Sequence, residues 1–371
     1  MHDAGTPQTT LRRRFAEGYA IRLWVALIAL FVAFAAPAQV QRTFVNLGFE
    51  LPSAGASTCY FQIAESAVPG WTTNHGSRAG VGCAPNIAQT TGPLIEIWAN
   101  GFSGVTARHG TQFAELNADE ASRIFQNVCL ANGEPIGWRF SHRGRNSAST
   151  KDEAEFRIGS TTGVNQVVLA RTTNTGTSTQ QCYNTAASTT GVSGNTCADA
   201  AASNGWHDYS GQFTWNGATG VQAIGFEAIT AAGGTTIGNF IDDIQVTLRP
   251  FVELTTATGL AREGAGDALP ALRVAGTVPA GGITVQLAIN GGSATRGSDY
   301  TTASGTDTLS VSVPAGVYDG TNFALPITLT DDAAIENNET IMLAITSSPT
   351  NYVLSSTQTC GAACLIDAAI A

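Results

Sequence analysis

Carboxylates are concentrated in one short stretch of this sequence. The segment TDDAAIENNET, residues 330–340, contains Asp331, Asp332, Glu336 and Glu339, although charged residues make up only 12% of the 371-residue chain. Like charges at such short spacing repel one another. Because carboxylates on flexible loops are typical ligands of Ca²⁺, the stretch indicates either a cation site or an acidic, solvated loop end.

A second group of residues could hold a ligand by hydrogen bonding. The segment HRGR places His142, Arg143 and Arg145 at the end of a predicted strand. These side chains can donate hydrogen bonds to the hydroxyl or carboxylate groups of a ligand. The alternative is that they pair with the acidic residues at 152–155.

Tryptophan rings could add stacking surfaces for sugars, because an aromatic face offers apolar area to the C–H groups of a sugar ring. The candidates are Trp71 and Trp98, together with Trp138, Trp206 and Trp215. The alternative for each is packing in a core or at its rim. No G-x-S-x-G, H-E-x-x-H or P-loop pattern occurs, so we predict that the protein is not an enzyme.

The first 38 residues predict an exported protein. A basic region with Arg12–Arg14 and Arg22 precedes an apolar run, Leu23 to Phe34, and then the small residues around Ala38. This order is typical of a cleaved signal peptide, and the apolar run is shorter than the ~20 residues of a membrane helix. We therefore predict a secreted or cell-surface location, with no membrane span in the mature chain. The formal net charge of −10 argues against nucleic acid as a partner.

Export makes disulfides favourable, and the chain has seven cysteines. Proximity in sequence suggests three pairs, Cys59–Cys83, Cys182–Cys197 and Cys360–Cys364. Cys129, within an apolar run, is then left as a buried free thiol.

Two blocks of β-rich sequence follow the signal segment, which leads us to predict domains at 39–249 and 250–371. The first block has 15 acidic and 11 basic residues, and the second has 11 acidic and 3 basic, so their net charges are −4 and −8. Both blocks consist of short alternating or β-rich runs separated by Gly, Asn and Pro. We expect an all-β fold with two sandwiches, and an irregular loop over 172–204.

The first block resembles the galactose-binding-like jelly-roll modules of bacterial surface proteins. The similarity lies in an ordered series of segments over about 44–248: NLGFELP, VPGW, IEIW, GTQFAELNA, QNVCL, FSHRGR, FRIG and IGNFIDDIQV. The resemblance implies a jelly roll that binds a glycan or serves as a spacer, and it implies no catalytic role for Glu96 or Glu115. It also makes Glu50 with Asp242 and Asp243 a weaker calcium candidate, for which strand capping is the alternative.

The second block resembles a Calx-beta domain, a Greek-key sandwich. The segments REGAG, GGSATRGSDY, PITLTDDAAIENNETIMLAI and ACLIDAAIA carry the similarity over about 250–371. The residues on positions that supply calcium ligands in that family are Glu263, Asp299, Asp331, Asp332 and Glu336. The resemblance therefore implies Ca²⁺ as a cofactor.

The last strand departs from the Calx-beta pattern. Calcium-binding members end in a run of aspartates, whereas here Asp367 stands alone before AAIA. One or two ligands are missing, so a weakened calcium site and an acidic loop without a metal stay open as alternatives.

Together these features predict a non-catalytic secreted or cell-surface protein for binding or adhesion. The first module would bind a glycan or another surface polymer, and the second would be a calcium-binding spacer. The alternatives are a structural stalk without a ligand and an accessory module of a polysaccharide-degrading enzyme.

Overall fold

The computed structural model describes residues 42–145, 152–164, 166–174, 191–256, 258–332, 337–346, 348 and 350–354, and the backbone of strands 181–183 and 363–368. The predicted signal peptide, 1–38, lies outside these ranges. Within them, no helix has the length and apolar character needed to cross a bilayer.

Fifteen strands precede residue 250 in the described part of the chain. They are β1 Tyr60–Ala64, β2 Thr72–Thr73, β3 Ser77–Ala79, β4 Thr91–Ala99, β5 Gln112–Glu115, β6 Arg123–Leu130, β7 Glu134–Arg143, β8 Asp152–Gly159, β9 Val167–Asn174, β10 Gln181–Tyr183, β11 Val192–Ser193, β12 Ala198–Ala201, β13 His207–Trp215, β14 Gly220–Thr230 and β15 Phe240–Thr247.

These strands form two antiparallel sheets. A nine-stranded sheet has the order β1-β4-β5-β15-β7-β13-β11, with β3 beside β4 and β12 beside β13; a six-stranded sheet has the order β10-β9-β8-β14-β6-β2. Side chains alternate between the two faces of each strand. Between the sheets lies one large apolar core, to which Ile97, Phe140, Phe156 and Phe226 belong.

The nine-stranded sheet also carries a second cluster on its opposite face, which we call the outer face. Because β4 alternates, Ile95 and Ile97 enter the core while Trp98 points outward. There Trp98 packs with Val105, Phe113, Trp206 and Phe240, beneath the loop that contains Phe102. The outer face is therefore partly covered by aromatic residues and loops.

Eleven further strands follow in the described residues after 250. They are β16 Phe251–Leu254, β17 Thr258–Ala261, β18 Ala271–Val278, β19 Ile283–Gly292, β20 Tyr300–Thr302, β21 Thr308–Val313, β22 Gly316–Ala324, β23 Ile327–Leu329, β24 Glu339–Ile345, β25 Val353–Leu354 and β26 Ala363–Ala368.

The strands after 250 form a four-stranded sheet, β22-β18-β16-β25, a five-stranded sheet, β17-β26-β24-β19-β21, and the pair β20-β23. Val252, Leu272, Leu287 and Leu343 belong to the core of these sheets. The predicted all-β fold class is confirmed. We call the parts before and after residue 250 the first and second sandwich.

A buried arginine joins the two sandwiches. Arg42 forms an ion pair with Glu134 and donates to the carbonyl oxygens of Cys129 and Arg249. Its guanidinium lies 3.9 Å from the ring centroid of Phe251, the first residue of β16. Side chains from both sandwiches pack around Phe251 in a small buried cluster.

The prediction of an irregular loop over 172–204 was partly wrong. It contains the end of β9 and the short strands β10, β11 and β12, which pair with β9 or β13 at the edges of the sheets. Edge strands need only one hydrogen-bonded neighbour and leave a side exposed, so polar Thr- and Ser-rich sequence can form them.

Cysteine pairing agrees with the sequence where it is described. Cys59 and Cys83 form a disulfide, Cys197 is disulfide-bonded, and Cys129 is a buried free thiol. The side chains of Cys182, Cys360 and Cys364 lie outside the described residues.

Candidate ligand-binding site

A small pocket opens on the outer face of the nine-stranded sheet. Its volume is about 320 Å³. The lining comprises Tyr60, Gln62, Glu96, Trp98, Phe102, Ser103, Ala118, Arg145, Thr236 and Ile237. Aromatic, amide, carboxylate and guanidinium groups therefore converge in one concave site, which is more polar than most ligand pockets.

Strand alternation and register explain how these residues meet. Tyr60 and Gln62 of β1 lie opposite Trp98 and Glu96 of β4, and Glu96 lies opposite Glu115 of β5. Residues two apart on a strand share a face, so each of the three strands contributes to the same patch. The antiparallel pairing of β1, β4 and β5 thus builds the floor of the pocket.

Glu96 and Glu115 form a buried carboxylate pair beneath the pocket. Glu96 accepts hydrogen bonds from Trp98 Nε1 at 2.6 Å and Gln62 Nε2 at 2.8 Å, and its side chain is hydrogen-bonded to Glu115. Glu115 accepts from the Gly238 backbone N–H at 2.6 Å. Burial, together with the charge of its partner in the case of Glu115, raises the pKa of both carboxyls. The raised pKa values and the hydrogen bond between the two carboxyls both favour a proton held between Glu96 and Glu115.

Arg145 supplies the positive charge at this pocket. Its Nη1 donates to the two carboxylate oxygens of Glu115 at 3.1 and 3.2 Å. Its guanidinium carbon lies 4.6 Å from the ring centroid of Trp98, and the side chain is 29% exposed. The proposed alternative of pairing at 152–155 holds only for its backbone, since Asp152 accepts from the Arg145 N–H at 2.8 Å.

Arg143 also lies on the outer face, two residues before Arg145. Its Nε donates to the carbonyl oxygen of Asn204 at 2.8 Å, and its guanidinium carbon lies 6.0 Å from the ring centroid of Phe240. Phe240 and Trp98 are neighbours in the outer cluster, with centroids 4.8 Å apart. Arg143 and Arg145 therefore stand over adjacent rings.

His142 faces the other way and is separated from the pocket. It is fully buried, with Nε2 at 3.0 Å from Asn239 Oδ1 and Nδ1 at 2.9 Å from Thr172 Oγ1. Burial lowers the pKa of His142 to about 3, so the ring is neutral. The three polar residues of HRGR thus do not act together, because neighbouring positions of a strand face opposite sides.

The five tryptophans that the structure describes do not present open rings. Trp71 is 4% exposed, stacks on Phe49 with centroids 4.8 Å apart, and donates from Nε1 to the Asn46 carbonyl oxygen. Trp98 is 1% exposed, between Arg145 and its aromatic neighbours. Trp138, Trp206 and Trp215 are buried as well. The accessible rings at the pocket are those of Tyr60 and Phe102, which are half-buried.

The acidic loops of the second sandwich approach one another at one end. The Thr330 N–H donates to the Asp299 carbonyl oxygen at 2.9 Å, and a Cβ on Gly264 would lie within 3 Å of the Asp331 carboxylate. The loop after β17, with Glu263, therefore lies beside the loop after β23. Asp331 and Asp332 are exposed, while Asp299 is buried and its carboxylate accepts from the Thr295 N–H.

A complete metal cluster does not emerge from these residues. Within the described part of the chain, no group of three or more His, Cys, Asp or Glu side chains is placed to hold a metal ion. Glu336 and the Asp367 side chain lie outside that part, although β26 brings the Asp367 backbone opposite Leu260 and Thr340. The calcium site stays a prediction.

Two further carboxylates shape the loop that precedes β5. Asp242 accepts from the N–H groups of Arg108 and His109 at 2.8 and 2.9 Å, and Glu50 accepts from Thr111 at 2.8 Å. Burial raises the pKa of Asp242 to about 7. Both carboxylates therefore accept hydrogen bonds from the backbone of this loop, and the calcium site considered for Glu50, Asp242 and Asp243 stays a prediction.

Sequence reasoning missed Tyr60, Gln62, Glu96 and Glu115 as site residues. The period-two alternation of IEIW and FAEL places each glutamate on the same face as a neighbouring aromatic residue, Trp98 or Phe113. This alternation was a signal in the sequence that could have identified Glu96 and Glu115 as outer-face residues. The facing of β4 and β5, which turns two separate glutamates into a pair, has no local signature in the sequence.

No protein-family model and no curated protein matches the chain. Among solved structures, the adhesin domain of Epf from Streptococcus pyogenes aligns with a TM-score of 0.26 and 11% identity over 90% of this chain and 98% of that one. A CBM4 structure aligns with a TM-score of 0.25 and 14% identity over 56% of this chain and 100% of that one. Similarities this low carry no argument about function.

Proposed function

We propose that the protein is a non-catalytic, secreted or cell-surface binding protein whose first sandwich binds a glycan in the outer-face pocket. The observation that carries this proposal is the pocket itself. Gln62, Glu96 and Arg145 meet there beside the half-buried rings of Tyr60 and Phe102. Aromatic faces flanked by a few fixed polar groups suit the alternating C–H and hydroxyl surfaces of a sugar.

The polar groups are held in position before any ligand arrives. Glu96 is fixed by Trp98 and Gln62, and Arg145 by Glu115 and the Trp98 ring. Groups already ordered lose little conformational entropy on binding, which favours affinity in a small site.

A glycan array probed with the full chain tests the proposal. We expect binding to a subset of glycans, and a loss of at least about tenfold in Tyr60→Leu, which removes an aromatic face but keeps apolar volume. Tyr318→Leu is the matched control, since Tyr318 is also half-buried and also packs on a phenylalanine at 5.4 Å. Equal binding by both variants would place the glycan elsewhere.

One observation favours a structural stalk without a ligand as the second candidate. All five tryptophans of the described residues are buried, so none offers an open stacking ring. Under that alternative the array stays blank even at high protein concentration.

We further propose that Ca²⁺ binds at the acidic end of the second sandwich. The approach of the Asp331 carboxylate to Gly264, next to Glu263, supports this, as does the suitability of carboxylate oxygens for calcium. We expect calorimetric melting of the full chain to show a lower transition temperature with chelator, and Asp331→Asn to remove that shift. Asp319→Asn, an exposed change elsewhere in this sandwich, serves as control. Identical melts with and without chelator would refute the metal.

A further inference from the structure

Two arginines form a short cationic strip on the outer face: Arg145 lines the pocket, and Arg143 precedes it by two residues. Arg143 and Arg145 lie over Phe240 and Trp98, rings that are themselves in contact. Arg143 donates hydrogen bonds from Nε and Nη1 to two carbonyl oxygens, and Arg145 donates from Nη1 to the Glu115 carboxylate. Among the contacts of the described residues, Arg143 Nη2 and Arg145 Nε and Nη2 are not engaged, so the strip retains donors for a ligand.

The charge of Arg143 has no acidic partner in the described part of the chain. Its hydrogen bonds go to the carbonyl oxygens of Asn204 and Gly144. Burial lowers the pKa of Arg143, and no neighbouring carboxylate offsets that shift. The undescribed loops of this sandwich, 146–151, 165, 175–180 and 184–190, contain neither Asp nor Glu. A half-buried cation without a counter-charge is costly, so its presence calls for an explanation.

The charges around Arg145 balance without Arg143. Glu96 and Glu115 are hydrogen-bonded to each other, and such a bond requires one proton between the two carboxyls, which leaves the pair with one negative charge. Arg145 neutralises that charge through its contact with Glu115. The strip and the pair together therefore carry one excess positive charge, that of Arg143.

We propose that the ligand of this pocket is an acidic carbohydrate whose carboxylate or sulfate group is bound by Arg143 and Arg145. This inference rests on the proposed glycan-binding function and names the ligand class. Guanidinium groups bind planar carboxylates through paired hydrogen bonds, and a ligand anion supplies the counter-charge that Arg143 lacks. The aromatic cluster beneath holds both guanidinium groups in place.

The experiment compares glycans that differ only in charge. Polygalacturonate and its fully methyl-esterified form share one backbone, as do a sulfated galactan and its desulfated form. We expect the full chain to bind at least one acidic polymer about tenfold or more tightly than its neutral counterpart. The carboxylated and sulfated arms show which anion is preferred.

Substitution tests the arginines individually. Arg143→Gln should weaken binding of the acidic polymer about tenfold, leave binding of the neutral one unchanged, and leave the melting temperature equal or higher. Arg145→Gln should also weaken binding of the acidic polymer. Because this change removes the counter-charge of the Glu96–Glu115 pair, the Arg145→Gln variant could fail to fold. In that case the result for Arg143→Gln decides the test. Arg78→Gln is the matched control, because Arg78 is an exposed arginine paired with Asp119 and Glu120.

The outcomes separate the two proposals. Equal affinity for acidic and neutral polymers, with Arg143→Gln unchanged, overturns the acidic ligand and leaves glycan binding standing. Failure of the wild-type chain to bind any of the four polymers overturns the acidic ligand, and a glycan array blank in the same preparation overturns glycan binding as well.

Discussion

Replacing Glu115 by glutamine should alter the pH dependence of stability of the first sandwich. In the folded chain, Glu96 and Glu115 hold a proton that the same carboxyls release in the unfolded chain, because burial raises the pKa of both. A group whose pKa is higher in the folded state loses its stabilisation as pH rises. The glutamine amide imitates the protonated carboxyl, since it can donate to Glu96 while its oxygen accepts from the Gly238 N–H.

The magnitude follows from proton linkage. One retained proton lowers the free energy of unfolding by about 1.4 kcal/mol for each pH unit. The window opens above the ordinary carboxyl pKa of 4.5 and closes where the folded pair releases its proton. Glu115→Gln should therefore match the wild type near pH 5 and become progressively more stable than it at higher pH.

Urea unfolding followed by tryptophan fluorescence at pH 5 to 9 measures this difference. Every tryptophan beyond residue 38 precedes residue 216, so the signal reports on the first sandwich. Glu120→Gln serves as control: the Gly76 N–H bond lowers the pKa of this exposed carboxyl, so its effect should be constant above pH 6. A wild-type curve parallel to that of Glu115→Gln over the whole range would refute the shared proton.

Three further changes test contacts elsewhere in the chain. Asp242→Ala should cost about 2 kcal/mol or more in urea unfolding, because three backbone N–H groups lose their acceptor; an unchanged midpoint would contradict this. Cys59→Ser with Cys83→Ser should cost about 3 kcal/mol by opening a loop with a sequence separation of 24, and reduction of the wild type, which also opens the disulfide of Cys197, should cost at least as much. Arg42→Met should cost about 3–5 kcal/mol because Glu134 stays buried without its cation, with Arg78→Met as a nearly neutral reference.

Alternation made most strands predictable. The segment TLSVSV alternates apolar and polar residues, the pattern of a half-buried strand, and it forms Thr308–Val313, with Leu309, Val311 and Val313 buried and the residues between them exposed. The run FALPITL, 323–329, is apolar enough for one strand but is divided between β22 and β23 around Pro326, because proline cannot donate to a sheet ladder.

The candidate site was harder to predict from the sequence than the strands were. HRGR was interpreted as one group, although alternation already places His142 on the face opposite Arg143. The pairing of Glu96 with Glu115 depends on the neighbours that β4 and β5 acquire in the sheet, and hydrophobic pattern alone does not determine them. Tryptophan content indicated stacking surfaces, but burial of large aromatic side chains stabilises the cores more than exposure would.

The contacts of Arg42 have a mechanical consequence. Its guanidinium binds the Arg249 carbonyl oxygen, and the next carbonyl, that of Pro250, accepts from the Val353 N–H at 3.0 Å. The carbonyl groups of both residues at the junction, Arg249 and Pro250, are thus held by hydrogen bonds. Bending at this peptide would have to break these hydrogen bonds and separate the buried cluster around Phe251. We therefore expect the junction between the sandwiches to be stiff under mechanical load.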